Sequence, residues 1–143
     1  MILSNKYGVD SREKADCSVT AIANACGISY NEAYEIMRLA GRKPETGVWE
    51  STLIRGIMSS GHWEMWAFGT TENTTEVNKY WPFSYRQNKG ITLKNALELM
   101  QEGSFIVNMS GHVVAVIDGE ILDHSNYKEG TRVYNIFKLI EAK

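Results

Sequence analysis

The last forty or so residues of the chain limit its fold more than any other segment. Four short apolar runs follow one another there: SFIVNM, HVVAVI, EILDH and RVYNIFKL. They are rich in valine, isoleucine and aromatic residues, which is typical of β-strands. The end of the chain therefore predicts four strands, mostly antiparallel.

The first part of the chain has the periodicity of helices instead. The first predicted helix spans 17–26 and ends before Gly27, a residue that readily takes the left-handed conformation. The second begins with the capping-box pattern SYNE at 29–32, and the third lies around 50–59. Helices followed by mostly antiparallel strands predict an α+β fold, and we expect a single domain over residues 1–143.

The middle of the chain has a mixed pattern. HWEMWAFG alternates large apolar residues and predicts a strand, whereas 71–90 has no clear period. A short helix is expected to begin at Thr92 and to be closed by Gly103. We expect the four tryptophans to pack in the core or on the wall of a groove: Trp49, Trp63, Trp66 and Trp81.

Charge and hydropathy argue against several functions. The net charge is −2, and lysine and arginine are scattered rather than gathered in a stripe, which argues against nucleic-acid binding. No apolar run approaches the roughly 20 residues of a membrane span, and the N-terminal residues lack the apolar core of a signal peptide. Two cysteines make neither a disulfide framework nor a zinc knuckle. We expect a cytoplasmic protein with free thiols.

The two cysteines stand at opposite ends of the first predicted helix. Cys17 would occupy its first turn, where the positive end of the helix dipole stabilises a thiolate. Cys26 would lie on the inner face, where a free cysteine behaves as a small buried hydrophobe. Cys17 is therefore the candidate for chemistry, provided that the chain supplies a partner for its sulfur.

The segment GHVVAVIDGEILDHSN supplies that partner. Asp118-Gly119, between two apolar runs, predicts a two-residue hairpin turn. Such a turn pairs Val114 with Asp123, and His112 lies two residues before Val114 on the same face. His112 and Asp123 would then be diagonal neighbours, roughly 7–8 Å apart at the backbone. A slip of one residue would separate them.

Cys17, His112 and Asp123 have the chemistry of a catalytic triad. His112 would take the thiol proton and later return it to a leaving group. Asp123 would fix the tautomer and orientation of the ring. The backbone N–H of Cys17, free in the first helical turn, would point at a developing oxyanion.

Other roles for these residue types are less favoured. Cysteine, histidine and aspartate also bind zinc, but the chain has no paired ligands at short spacing. We therefore expect neither a metal nor another cofactor. His62 follows a predicted helix exit and is expected to be structural, and His124 is expected to face solvent.

The chain resembles the papain-like cysteine peptidases, in the broad sense that includes small bacterial and phage-encoded members. DCSVTAIANACGISYNEAYEIM is similar to the nucleophile helix of that fold, and GHVVAVIDGEILDHSN to its histidine and acid strands. AGRKPETGVW resembles a stretch between the early helices of phage-type relatives. The resemblance covers both ends of the chain and leaves 62–103 without a motif. It implies an active-site cleft between an N-terminal helical part and a C-terminal antiparallel sheet.

The resemblance implies hydrolysis of a peptide or isopeptide bond in a peptide or protein substrate, through a thioester acyl-enzyme. The location would be the cytoplasm, or the host cytoplasm if the protein is phage-encoded. The same triad serves transglutaminase-like, deamidase and arylamine acetyltransferase chemistry, which differ in the acceptor, and the sequence does not separate them.

One departure from the papain-like pattern supports a different class of function. These enzymes place a glutamine several residues before the nucleophile to complete the oxyanion hole, and residues 1–16 contain none. Asn5, Ser11 and Asp16 lie in that region. The alternative is a binding protein that keeps the fold without turnover, such as a phage-encoded inhibitor of a host factor.

Overall fold

A computed structural model describes residues 8–68, 77–78, 90–109, 111–123 and 127–142. Four helices and seven strands lie within these ranges. The helices are α1 (Cys17–Cys26), α2 (Tyr30–Ala40), α3 (Glu50–Ser59) and α4 (Leu93–Glu98). The strands are β1 (Gly61–Phe68), β2 (Val77–Asn78), β3 (Ile91–Thr92), β4 (Ser104–Met109), β5 (His112–Ile117), β6 (Glu120–Leu122) and β7 (Arg132–Ala142).

The strands form one sheet in the order β2-β1-β7-β4-β5-β6, with β3 also paired to β7. Every pairing in it is antiparallel. The last strand, β7, therefore lies in the centre of the sheet, between β1 and β4. Helices combined with an antiparallel sheet confirm the α+β fold, and the four predicted C-terminal strands are present.

Local signals set the ends of the first two helices as predicted. Gly27 ends α1 with a φ of 68°, and its N–H donates to the Ala23 carbonyl. The Ser29 hydroxyl caps α2 by accepting the Glu32 N–H at 3.1 Å. The turn between α1 and α2 is therefore short and fixed, which places α2 against α1.

Both faces of the sheet are buried. Helices α1, α2 and α3 cover one face, and α4 with β3 covers the other. Alternation along β5 divides its residues between the two cores: Val113 and Ala115 pack towards the three helices, and Val114 and Val116 towards α4. The start of α1 is thereby held against the start of β5, which is where the candidate site lies.

The expected end of α4 is wrong. The helix begins after Thr92, whose hydroxyl accepts the Asn95 N–H, but it ends at Glu98 rather than continuing to Gly103. Gly103 instead exchanges two hydrogen bonds with Asp118, at 2.8 and 2.9 Å. These bonds hold Gly103 in place directly before β4, and the helix ends several residues earlier.

The tryptophans do not share one environment. Trp63 is buried and Trp66 is half-buried, as expected of core residues. Trp49 is 84% exposed, so its predicted packing is wrong: it stands at the N-cap of α3, outside the inward-facing turn of that helix. Trp81, and most of the segment 71–90, lie outside the described residues. None of the described helices is long and apolar enough to cross a membrane.

Candidate active site

The turn between β5 and β6 sets the register of the site. Asp118 and Gly119 have φ values of 49° and 81°, and two positive angles in succession characterise a type I′ turn. Ile117 then pairs directly with Glu120. The two-residue turn predicted from the sequence is confirmed.

This register brings His112 and Asp123 together. His112 is the first residue of β5, and Asp123 follows the last residue of β6 directly. Nε2 of His112 lies 2.9 Å from Oδ2 of Asp123. The two side chains are 38% and 21% exposed, so the contact lies at a surface that solvent and a ligand can reach.

Tyr127 belongs to the same cluster, and sequence reasoning missed it. Its hydroxyl donates to the Oδ2 atom of Asp123 that His112 also contacts. Its ring stacks on the His112 ring, with centroids 6.2 Å apart and planes 25° apart. The only local signal is a tyrosine four residues after the acid, and the intervening 124–126, which include His124, lie outside the described residues.

Cys17 is the first residue of α1, as predicted, and it is half-buried. Its thiol interacts with the His112 side chain and with the backbone N–H groups of Val113 and Ser18, and all three interactions favour the thiolate. Since Asp123 engages Nε2 of His112, Nδ1 is the ring nitrogen left for the sulfur. The structure thus brings together all three residues that the sequence singled out.

These interactions shift the pKa values of both Cys17 and His112. Burial opposes ionisation of Cys17, but the bonds from His112, Val113 and Ser18 outweigh it and lower the pKa of the thiol. The interaction with Cys17 is the largest cause that raises the pKa of His112 to about 9. Burial lowers this pKa, and the hydrogen bond to Asp123 raises it further. A lowered pKa of the thiol and a raised pKa of the imidazole favour a thiolate–imidazolium pair at neutral pH.

Cys26, at the other end of α1, is a contrasting reference. It packs against the core between helices and sheet, and its sulfur lies 3.7 Å from the Ser60 hydroxyl. Burial raises the pKa of this thiol. Two thiols on one helix therefore have opposite pKa shifts, and the expected structural role of Cys26 agrees with its packing.

Asp16 anchors the loop that leads into Cys17. The side chain is buried, and its carboxylate only accepts hydrogen bonds. Asp16 therefore fixes the approach to the nucleophile and has no hydrogen to offer an oxyanion. The donors to it are the Ser11 hydroxyl, the backbone N–H groups of Arg12 and Glu13, and the Tyr30 hydroxyl.

Arg42, from the segment AGRKPETGVW, braces the same loop, meaning that its guanidinium binds the loop at several points. Its buried guanidinium lies 2.7 Å from a carboxylate oxygen of Glu13. It also donates to the carbonyls of Lys14 and Ala15, at 3.3 and 3.4 Å. Ala15 has a φ of 53°, a left-handed conformation that costs energy for a residue other than glycine. The bonds of Arg42 and Asp16 hold this backbone in place.

The described residues 8–16 offer no side-chain donor that replaces the missing glutamine. Ser11 already donates to Asp16, and Asn5 lies outside the described residues. Two other donors stand beside the sulfur. The backbone N–H of Cys17 has no intrahelical acceptor in the first turn of α1. The Ser18 hydroxyl lines the cleft, is buried, and has no hydrogen-bond partner among the described residues.

The site opens into a cleft of about 580 Å³ between the helical part and the sheet. One wall comes from the loop before α1 and from the start of α3, and the other from the ends of β4, β5 and β6. A volume of this size is in the range of ligand-binding clefts. Residues from the helical wall include Val9, Val48, Glu50 and Leu53, and those from the sheet wall include Met109 and Leu122.

Fold and site together define an α+β protein in which a cysteine, a histidine and an aspartate meet at one cleft, with the histidine hydrogen-bonded to the aspartate. Comparison of the chain with protein-family models, with curated proteins and with solved structures finds no match. Among the described residues, no group of three or more histidine, cysteine, aspartate and glutamate side chains is arranged to hold a metal ion.

Proposed function

We propose that the protein is a thiol-dependent hydrolase of the papain-like cysteine peptidase class, acting on a peptide or isopeptide bond. The observation that carries this proposal is the meeting of Cys17, His112 and Asp123 at one open cleft, with His112 hydrogen-bonded to Asp123 and interacting with the Cys17 thiol. The opposite pKa shifts of Cys17 and His112 support it, because they match the nucleophile and the acid of one reaction.

In the first half of the reaction, the Cys17 thiolate attacks the carbonyl carbon of the substrate. The carbonyl oxygen becomes an oxyanion beside the start of α1, where the Cys17 N–H and the Ser18 hydroxyl are the available donors. His112, as imidazolium, gives its proton to the leaving amine as the carbon–nitrogen bond breaks. The acyl group remains on Cys17 as a thioester.

In the second half, water replaces the sulfur on the acyl group. His112, now neutral, takes a proton from the water as its oxygen attacks the thioester carbonyl. The carbon–sulfur bond breaks, the acid product leaves, and the Cys17 thiolate and the His112 imidazolium are restored. Asp123 holds the ring in one orientation through both halves by accepting the Nε2 hydrogen.

The pH dependence of alkylation tests the activated thiol without knowledge of the substrate. Cys17 and Cys26 are treated with iodoacetamide between pH 5 and 10, and the rate for each is measured by peptide mass spectrometry. We expect Cys17 to react at a nearly constant rate through neutral pH, and Cys26 to react only at high pH. Equal rates for the two thiols at pH 6 would contradict the proposal.

A variant of the histidine provides the matched control. His112→Gln removes the imidazolium but keeps a polar side chain of comparable size. The alkylation rate of Cys17 should then fall at pH 6 by about tenfold or more, because one pKa unit of thiolate stabilisation corresponds to a tenfold change in thiolate population. The rate for Cys26 should stay unchanged.

The second candidate is a binding protein without turnover, and one observation favours it. Asp16 and Ser11 bond to each other, so neither replaces the glutamine of an oxyanion hole. Cys17→Ala separates the two candidates. A hydrolase loses its effect in this variant while retaining substrate, which a pull-down then captures. A binding protein keeps both its partner and its full biological effect.

A further inference from the structure

Glu50 is the first residue of α3, where the helix dipole favours a carboxylate, and it stands at the start of the inward-facing side of the helix. Residues three, four and seven positions later share its face of the helix. These are Leu53, Ile54 and Ile57, and all three are buried. Glu50 therefore extends an apolar stripe with an acid, and the stripe leads into the cleft that Cys17 lines.

No described residue neutralises this carboxylate. Neither a hydrogen bond nor an ion pair joins Glu50 to any other described side chain, in contrast to Glu13 and Glu35, which pair with Arg42 and Arg38. Burial raises the pKa of Glu50. A half-buried acid that faces a cleft and has no protein cation among the described residues is open to pairing with a cation of a ligand.

The surroundings of Glu50 suit a long cationic side chain rather than a bare ion. Val48 and Leu53 line the same wall and offer apolar surface to a methylene stem. The cleft wall beside Glu50 therefore suits the stem and charged head of a lysine or arginine side chain.

We propose that Glu50 is the recognition group for a lysine or arginine side chain of the substrate. This inference rests on the proposed function, since it assigns the substrate class of the same cleft. The substrate would be a basic peptide or protein segment. Its cationic side chain would pair with Glu50 while the carbonyl to be attacked lies at Cys17.

The experiment uses probes that react with Cys17 and differ only in charge. Peptidyl chloromethyl ketones place the peptide on the acyl side of the sulfur, and epoxysuccinyl amides alkylate the same sulfur with a different electrophile and geometry. Each set compares arginine with citrulline, its neutral analogue, and the second-order rate of Cys17 labelling is measured by intact mass. We expect the arginine probe to react about tenfold faster in at least one set.

Two variants connect this preference to Glu50. Glu50→Gln should reduce the arginine-to-citrulline ratio to about one. Glu45→Gln removes the same charge from the exposed loop before α3 and should leave the ratio unchanged. Glu50→Lys should reverse the selectivity, so that probes bearing glutamate react faster than those bearing glutamine. Circular dichroism checks that all three variants are folded.

Three results would overturn the inference, and they differ in what else they overturn. An arginine-to-citrulline ratio of one in both probe sets, with Cys17 still selectively alkylated by iodoacetamide at pH 6, rejects the subsite and leaves the proposed hydrolase standing. A ratio that Glu50→Gln does not change has the same meaning. Loss of selective iodoacetamide labelling in the unmodified protein rejects the hydrolase and the subsite together.

Discussion

Tyr127 stacks on His112 with ring centroids 6.2 Å apart, and both residues hydrogen-bond to Oδ2 of Asp123. One carboxylate oxygen thus fixes two rings that also contact each other. The imidazole is held in its plane by Tyr127 and along its Nε2 direction by Asp123. Under the proposed function Tyr127 would be a positioning residue, acting through the orientation of His112.

Tyr127→Phe keeps the stacked ring and removes the hydroxyl. We expect turnover to fall about two- to tenfold, because the net contribution of one hydrogen bond is about 0.5–1.5 kcal/mol. The pH dependence of turnover should shift as well, since Asp123 then interacts differently with His112. Tyr34→Phe, on α2, is the matched control and should change neither turnover nor its pH dependence. A Tyr127→Phe variant with reduced stability and an unchanged pH profile would mean that the residue is merely structural.

The raised pKa of His112 predicts a specific titration. The bond to Cys17 is its largest cause, so the imidazolium should persist up to about pH 9 in the unmodified protein. Above that pH the ring loses the proton that the leaving group requires, and the rate of acylation should fall. Below the lowered pKa of Cys17 the thiolate is protonated, and the rate should fall there too. Acylation is therefore expected to have a bell-shaped pH profile.

NMR titration of the His112 ring in Cys17→Ser checks the cause of this shift. Serine keeps a hydroxyl but carries no charge in this pH range, so the pKa of His112 should fall from about 9 towards its ordinary value of 6.5. His62, which lies at the start of β1, serves as the reference signal. A His112 pKa that is the same with cysteine and with serine would show that the sulfur is not its partner.

Much of the site follows from local signals in the sequence. The helix that begins at Cys17 and the turn at Asp118-Gly119 both depend on residues that are neighbours in the chain. A two-residue turn fixes which residues of β5 and β6 face each other, so the approach of His112 to Asp123 could be predicted from residue spacing alone.

The rest of the site depends on contacts that no local pattern encodes. Alternation along β5 puts His112 on the same face as Val114, which packs towards α4 and away from α1. The contact of His112 with Cys17 is made at the end of the sheet, and only the packing of α1 on β5 determines it. The inward direction of Glu50 likewise depends on how α3 packs, and the central place of β7 on pairing with β1, which is distant in the chain.

The brace formed by Arg42 predicts an effect on the site from outside the cleft. Arg42→Met keeps the length of the stem but leaves the Lys14 and Ala15 carbonyls without their donor. We expect a loss of about 1–3 kcal/mol in the free energy of unfolding, the usual cost of unsatisfied buried groups. Alkylation of Cys17 at pH 6 should slow, because the backbone before it is less fixed.

Arg38→Met provides the control for Arg42. Arg38 pairs with Glu35 on the exposed side of α2, where both side chains are 54% exposed. Such a surface pair contributes little, so this variant should unfold at nearly the same denaturant concentration as the unmodified protein. If the two arginine variants were equally stable, Arg42 would not be a brace of the loop.

Substitution of the three site residues orders their roles. Cys17→Ala and Cys17→Ser should abolish turnover, since no other group of the site forms the acyl intermediate. His112→Ala should be nearly as damaging, with a loss on the order of 10²–10⁴ in kcat, because general acid and base catalysis are both removed. Asp123→Ala should cost less than His112→Ala, since α1 and His112 still stabilise some thiolate. Each variant removes a cleft group rather than a core side chain, so circular dichroism should show folded proteins.

If Asp123→Ala proved as inactive as Cys17→Ala while remaining folded, Asp123 would do more than orient the ring, and the assigned order of roles would be wrong.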